Sequence, residues 1–236
     1  MNEMPEICNY LVYVLLHGGA DKIAMRTTAG LILKNNIRAM WHKTAEEVKS
    51  YVQSNALAAL SDPELMIRNT AGTIITTIVS TSGASAWNSV IPHLLELIHN
   101  QNQVIAEGSF SALSKICEDS SVELARDANE SLLSYLIPKF IDILDQNSPK
   151  LGFFALKSII PFLLVEVPAL KNNSQKFVAV LSKKASIELP LDTQKLVARA
   201  LTDLADHYME LMLDFMPPNM EYMLQVLASG HEDVRL

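Results

Sequence analysis

The run Arg26-Thr-Thr-Ala-Gly-Leu-Ile-Leu-Lys-Asn-Asn-Ile-Arg38 returns farther down the chain as Arg68-Asn-Thr-Ala-Gly-Thr-Ile-Ile-Thr-Thr-Ile78. The shift is 42 residues, with Ala71 laid over Ala29 and Ile75 over Leu33. Within the first copy, Ala29, Ile32, Leu33 and Ile37 recur at three- and four-residue steps, the spacing of one side of an α-helix. A single helix of this kind cannot bury its own apolar face. Repetition at a fixed interval solves that problem by stacking, since each copy covers the one before it.

The remaining helical patterns pair up around this repeat. Helices are expected over residues 5–17 and 21–41, 44–60 and 61–80, 87–99 and 104–118, 129–144 and 149–165, and 172–185 and 192–208. Gly18-Gly19 closes the first helix, because glycine readily takes the left-handed conformation beyond a helix end. Thr44-Ala-Glu-Glu-Val48 reads as a capping box opening the third, and Pro63 as a first-turn proline of the fourth. Pro217-Pro218 starts a last helix to about residue 228, and His231 to Leu236 reads as the opening of another. Sustained period-two alternation, the mark of a strand, is absent.

Aligning the second helix of each pair makes Leu33, Ile75, Leu113, Ile159 and Leu201 equivalent, with separations of 42, 38, 46 and 42 residues. These straddle the roughly 40 to 47 residues of HEAT or armadillo units, not the ~33 of ankyrin or tetratricopeptide repeats. Two helices per unit favour HEAT. The expected fold is all-α, a right-handed α-solenoid of about five HEAT repeats plus a partial one, forming a single domain over residues 1–236. Its repeats fall near 5–41, 44–80, 87–118, 129–165 and 172–208, with the partial one over 217–236.

In such an array the second helices line the concave wall, and residues flanking the core stripe face the groove. They are Lys34, Asn35 and Arg38; Thr76, Thr77 and Ser80; Ser114, Lys115 and Glu118, with Asp119 beside it; and Thr202, Asp203 and Asp206. Ile160, Pro161 and Leu164 are the equivalents in the fourth repeat. A mostly polar wall with an apolar patch and acids at one end suits a protein partner. Pro161, inside a helix, removes a backbone hydrogen bond and is expected to set local curvature.

Composition narrows the function classes. The chain is 49% apolar and 19% charged, enough for a sizeable core. Its longest apolar runs, such as Ile159 to Val165, fall far short of the roughly 20 residues of a membrane span, so no membrane insertion is expected. An excess of 26 acids over 19 bases disfavours nucleic acid and suits basic protein surfaces. Cys8 and Cys117, 109 positions apart in apolar patterns, read as buried reduced thiols. No phosphate loop, nucleophile elbow or metal-ligand spacing is present, so neither an enzyme nor a cofactor is expected. Glu118-Asp119 and Glu46-Glu47 are neighbours that point apart on a helix, unlike a catalytic carboxylate pair. Met209, Met212, Met216, Met220 and Met223 recur at helical spacing, which reads as core packing, with a soft binding surface as the alternative.

Several stretches carry a family resemblance. Asn9-Tyr-Leu-Val-Tyr-Val-Leu15, Ala29-Gly-Leu-Ile-Leu-Lys-Asn-Asn36, Gly72 to Ile78, Glu107-Gly-Ser-Phe-Ser-Ala-Leu-Ser-Lys-Ile-Cys-Glu-Asp-Ser120, Ile137-Pro-Lys-Phe140, Ser148-Pro-Lys150 and Glu221-Tyr-Met-Leu-Gln225 resemble, in order, the N-terminal HEAT repeats of transportin-type karyopherins, import receptors of the importin-beta superfamily. Gly152-Phe-Phe stands where the family usually has a basic residue.

The resemblance implies a receptor shuttling between cytoplasm and nucleus, with Ran-GTP, Phe-Gly nucleoporins and protein cargo as partners. In that family the N-terminal arch holds Ran and the C-terminal arch holds proline-tyrosine localisation signals. The portion matched corresponds to roughly the second through sixth repeats and part of a seventh, without the cargo arch. Ran contacts carry over to Lys34, Asn35, Arg38, Thr77, Lys115, Glu118 and Asp119. Without a preceding repeat, the first hairpin is expected to leave its apolar outer face open. A HEAT scaffold holding other proteins in its groove is the second reading the residues leave open.

Overall fold

A computed structural model describes residues 4–126, 130–146 and 148–228. The described residues contain helices and turns and no strand. The chain divides into two compact units, Met1–Ser120 and Ser121–Leu236.

In the first unit, α1 (Met4–His17) and α2 (Ile23–Met40) form one hairpin, α3 (Glu46–Ala58) and α4 (Leu65–Ser82) a second, and α5 (Val90–Ile98) and α6 (Gln103–Asp119) a third. Second helices lie against second helices, α2 on α4 and α4 on α6, while α1 lies against α3. In the second unit a short turn of helix, α7 (Ser121–Leu124), precedes α8 (Glu130–Asp145), α9 (Pro149–Leu163), α10 (Pro168–Lys184), α11 (Leu191–Met212) and α12 (Met216–Ala228). There α8 packs on α9 and α10, α11 packs on α9 and α10, and α12 closes on α11.

The repeat register explains where the core sits. Leu33, Ile75, Leu113, Ile159 and Leu201 are all buried, none more than 3% exposed. Around them lie Ile37, Ile67, Ile74, Ile78, Phe110 and Ile116 in the first unit, and Phe140, Leu156, Phe162, Phe177, Leu181 and Leu204 in the second. Each such side chain contributes about 1.5–3 kcal/mol when removed from water. Cys8 and Cys117 are buried free thiols, and burial pushes the Cys8 thiol up. No helix among the described residues is long and apolar enough to cross a membrane.

Several element boundaries differ from the sequence expectation, each for a local reason. Trp41 is buried and carries the end of α2 into a 3-10 turn over Trp41–Lys43. Thr44 therefore finishes that turn, its hydroxyl donating to the Met40 carbonyl at 3.1 Å, and does not cap α3. Ala45 is the cap residue, and Glu46 and Glu47 favour the helix start through its dipole. Pro63 lies ahead of α4, because the Asp62 carboxylate accepts from the Glu64 amide at 2.9 Å and holds the chain in a turn.

Ala84–Trp87 form a 3-10 turn, so α5 begins only at Val90. α10 starts at Pro168, four residues before the polar run at Lys171 suggested, because Ala169 and Leu170 are already buried. α11 continues past Tyr208, where the backbone kinks (φ −137°, ψ 35°), until Met212 is buried. Pro161 falls in the last turn of α9. The expectations at Asn129 and at His231 to Leu236 lie outside the described residues.

Candidate functional site

The second-helix wall is set by side chains seven residues ahead of each aligned core position: Arg26, Arg68, Ala106, Gly152 and Gln194. Arg26 donates from Nε to the Leu15 carbonyl at 2.8 Å and from Nη2 to that of Leu16 at 3.3 Å. Arg68 donates from Nη1 to the Asp62 and Pro63 carbonyls, at 2.8 and 2.7 Å. Gln194 donates from Nε2 to the Ile187 and Leu189 carbonyls, at 2.9 and 2.8 Å. In each case the side chain clasps the chain just ahead of its own second helix and satisfies carbonyls that a helix end leaves unpaired. Arg26 also reaches the next hairpin, pairing with the Asp62 carboxylate; the two side chains are only 5% and 8% exposed.

That clasp was readable in part. Arg26 and Arg68 occupy one register position, a visible signal. Asp62, 36 residues away, carries no local mark of its role.

On this frame α2, α4 and α6 lie side by side in the first unit. Asn35 and Arg38 are exposed on α2 with Lys34 half-buried beside them, Ser80 is exposed near the end of α4, and Glu118 and Asp119 are exposed at the end of α6. Lys115 of α6 crosses to α4 and donates to the Asn69 carbonyl at 3.2 Å. The wall runs from cations on α2 to acids at the tip of α6.

Other expected wall residues are not on it. Thr76 and Thr77 are buried, with hydroxyls donating to the Gly72 and Thr73 carbonyls at 2.8 and 2.7 Å. Ser114 is buried and donates to Ser111 at 3.0 Å. The reason is position: α4 has a helix on each side, so its buried arc is wide, and short hydroxyl side chains satisfy themselves on the preceding turn. Ile160 is likewise buried in α9, whereas Leu164 is exposed and Pro161 half-buried.

Asp203 and Asp206 belong to α11 in the second unit. Asp206 is exposed. Asp203 is half-buried, with Oδ2 3.7 Å from Arg199 Nε. Burial pushes its carboxyl above the ordinary value, and Arg199 and His207 oppose that shift. Thr202 is half-buried and donates to the Ala198 carbonyl at 3.1 Å. The methionine stripe is divided: Met212 is buried, Met209 and Met220 are exposed. On the first hairpin Tyr10, Tyr13, Met25 and Ile32 are exposed. Among the described residues no group of His, Cys, Asp and Glu could hold a metal ion.

The geometry offers a rigid, charged protein-docking wall. Comparison with known proteins gives it a family. Residues 1–62 match the importin-beta N-terminal domain. Importin subunit beta-2 of Schizosaccharomyces pombe is 34% identical over 99% of the chain and 26% of its own length. Transportin-1 of Mus musculus is 34% identical over 100% of the chain and 26% of its own length. The chain belongs to the importin-beta superfamily.

The importin-beta match spans about a quarter of these curated relatives. Among solved structures, the karyopherin Kap95p aligns over 99% of the chain and 29% of its own, with a TM-score of 0.76 at 19% identity. That structure is described as showing that Kap95p binding induces the switch loops of RanGDP to adopt the GTP-bound conformation. At this identity the likeness concerns the fold, that of the importin-beta helical-repeat solenoids, all-α with paired helices. Importin-beta membership also accounts for the quoted motifs: Glu221-Tyr-Met-Leu-Gln225 puts the buried Tyr222 hydroxyl on the Gln194 carbonyl at 3.2 Å, tying α12 to α11.

Proposed function

We propose that the chain is the Ran-binding portion of a transportin-type nuclear transport receptor, in which the second-helix wall of the first unit meets Ran in its GTP form. The observation carrying this reading is the whole-chain identity to importin subunit beta-2 and transportin-1, with residues 1–62 matching the importin-beta N-terminal domain. The wall chemistry is consistent with it. Lys34, Asn35 and Arg38 supply cations and donors on α2; Lys115, Glu118 and Asp119 supply both signs on α6. Separated patches of opposite sign steer a partner and fix its register. Thr76 and Thr77 are buried and serve packing in this scheme, and Ser80 stays on the wall.

The receptor binds cargo with proline-tyrosine localisation signals, meets Phe-Gly nucleoporins in the pore, and moves between cytoplasm and nucleus. It does so as a binding protein without an enzymatic step. Asp203 and Asp206 contribute a separate acidic patch on α11.

The test is a pulldown of the full chain with Ran locked in each nucleotide state. Retention of Ran-GTP in preference to Ran-GDP supports the receptor. Equal or absent retention of the two overturns it and favours a helical-repeat scaffold that holds other subunits.

A further inference from the structure

At Gly152 the clasp position has no side chain. An added Cβ there would find only Leu144 Cδ1 within 4 Å, at 3.9 Å. The space that arginine and glutamine fill at other repeats is here a cavity of about 320 Å³. Leu144, Phe153, Leu156, Leu181, Leu189 and Val197 form its apolar walls. All belong to the second unit.

The polar groups around the cavity are largely committed elsewhere. Lys184 Nζ donates to the Gln146 carbonyl at 3.0 Å, taking over from the next hairpin the task that a residue at position 152 would perform. Lys183 pairs with Asp145 at 2.8 Å and Lys176 with Asp142 at 2.5 Å, so lysines of α10 hold the α8 side of the pair. The interior thus needs no water, and an apolar cavity of this kind takes an apolar guest. Its volume sits at the lower end of small-molecule pockets, roughly 300–1,000 Å³. Lys184 is the one charged residue among those lining it, and it is cationic.

We propose that the Gly152 cavity binds a small amphiphilic anion, an apolar body seated between α9 and α11 with a carboxylate or sulfonate head at Lys184. The size and apolar walls select the body, and the Lys184 ammonium selects the sign of the head. The site does not depend on Ran binding.

Sodium decanoate, titrated calorimetrically below its micelle concentration into the full chain, is the probe. Saturable one-to-one binding is expected. Gly152→Leu fills the cavity and weakens binding at least about tenfold. Lys184→Met weakens decanoate but leaves neutral decanol unchanged. Methyl NMR shifts on the unmutated chain, confined to Leu144, Leu156, Leu181, Leu189 and Val197, give the same answer without any variant. Absence of saturable binding, unchanged affinity in a folded Gly152→Leu, or shifts spread over the surface overturn the site. Equal binding of decanol and decanoate, indifferent to Lys184→Met, overturns its anionic specificity.

Discussion

Arg26 and Asp62 form a pair almost wholly removed from water, and the carbonyls of Leu15 and Leu16 complete the arginine's partners. Taking away one member strands a buried charge, so Asp62→Ala is expected to cost about 3–5 kcal/mol, read as a lower denaturant midpoint. Lys49→Ala, which removes the exposed partner of Glu46, is expected to cost under about 1 kcal/mol. Two helical glycines should respond to alanine with opposite sign. At Gly108 a Cβ would sit 2.6 Å from the Leu60 carbonyl oxygen, part of the backbone, and Gly108→Ala should destabilise by roughly 1–3 kcal/mol. At Gly152 there is room, and Gly152→Ala should stabilise by up to about 1 kcal/mol through the lost flexibility of the unfolded chain. Thermal unfolding of the two variants side by side separates packing from propensity. None of this was legible residue by residue: the repeat displays Arg26 and Arg68 at one position, but their partners are set by the fold.

Helices were readable where burial follows a local period, and their ends were not where a distant contact decides. Thr44 has the sequence of a cap, yet the burial of Trp41 draws it into the preceding turn. Lys171-Asn-Asn-Ser has the look of a loop, yet Ala169 and Leu170 anchor an earlier start for α10. α12 is held through Tyr222, whose burial pushes its phenol up to about 12 and whose hydroxyl donates to the Gln194 carbonyl. Tyr222→Phe is expected to cost about 1 kcal/mol and to remove the highest step of the tyrosine absorbance titration.

On α11, burial raises the Asp203 carboxyl from its ordinary 3.8, with Arg199 and His207 opposing. The fold therefore prefers Asp203 protonated: its contribution is present below the ordinary value and is lost as pH rises through the raised one. Asp203→Asn should then be more stable than the natural chain at neutral pH, with the difference vanishing in acid. Asp145 acts in the opposite sense, since its hydrogen bond from Lys183 holds its carboxyl low and favours the fold above the ordinary carboxylate range.

Across the whole molecule, the five aligned core positions are buried in both units, which is why a period of about 42 residues sufficed to read the fold class. A stack of hairpins writes its core locally, in each helix's own spacing. The wall is less legible, because exposure depends on how many neighbours a helix has: α4 lies between α2 and α6 and buries Thr76 and Thr77, while Arg38 and Glu118 on the flanking helices stay exposed. The grouping into two units depends on packing beyond any single repeat and left no mark in the spacing. If the exposed remainder of the wall is the docking surface, charge on α2 must matter and charge on α3 must not. The direct measurement is the affinity of the full chain for Ran-GTP in the Arg38→Glu and Lys49→Ala variants. A loss of at least about tenfold for Arg38→Glu with Lys49→Ala unchanged is the predicted result; equal effects at the two positions, or no effect at Arg38, would contradict it.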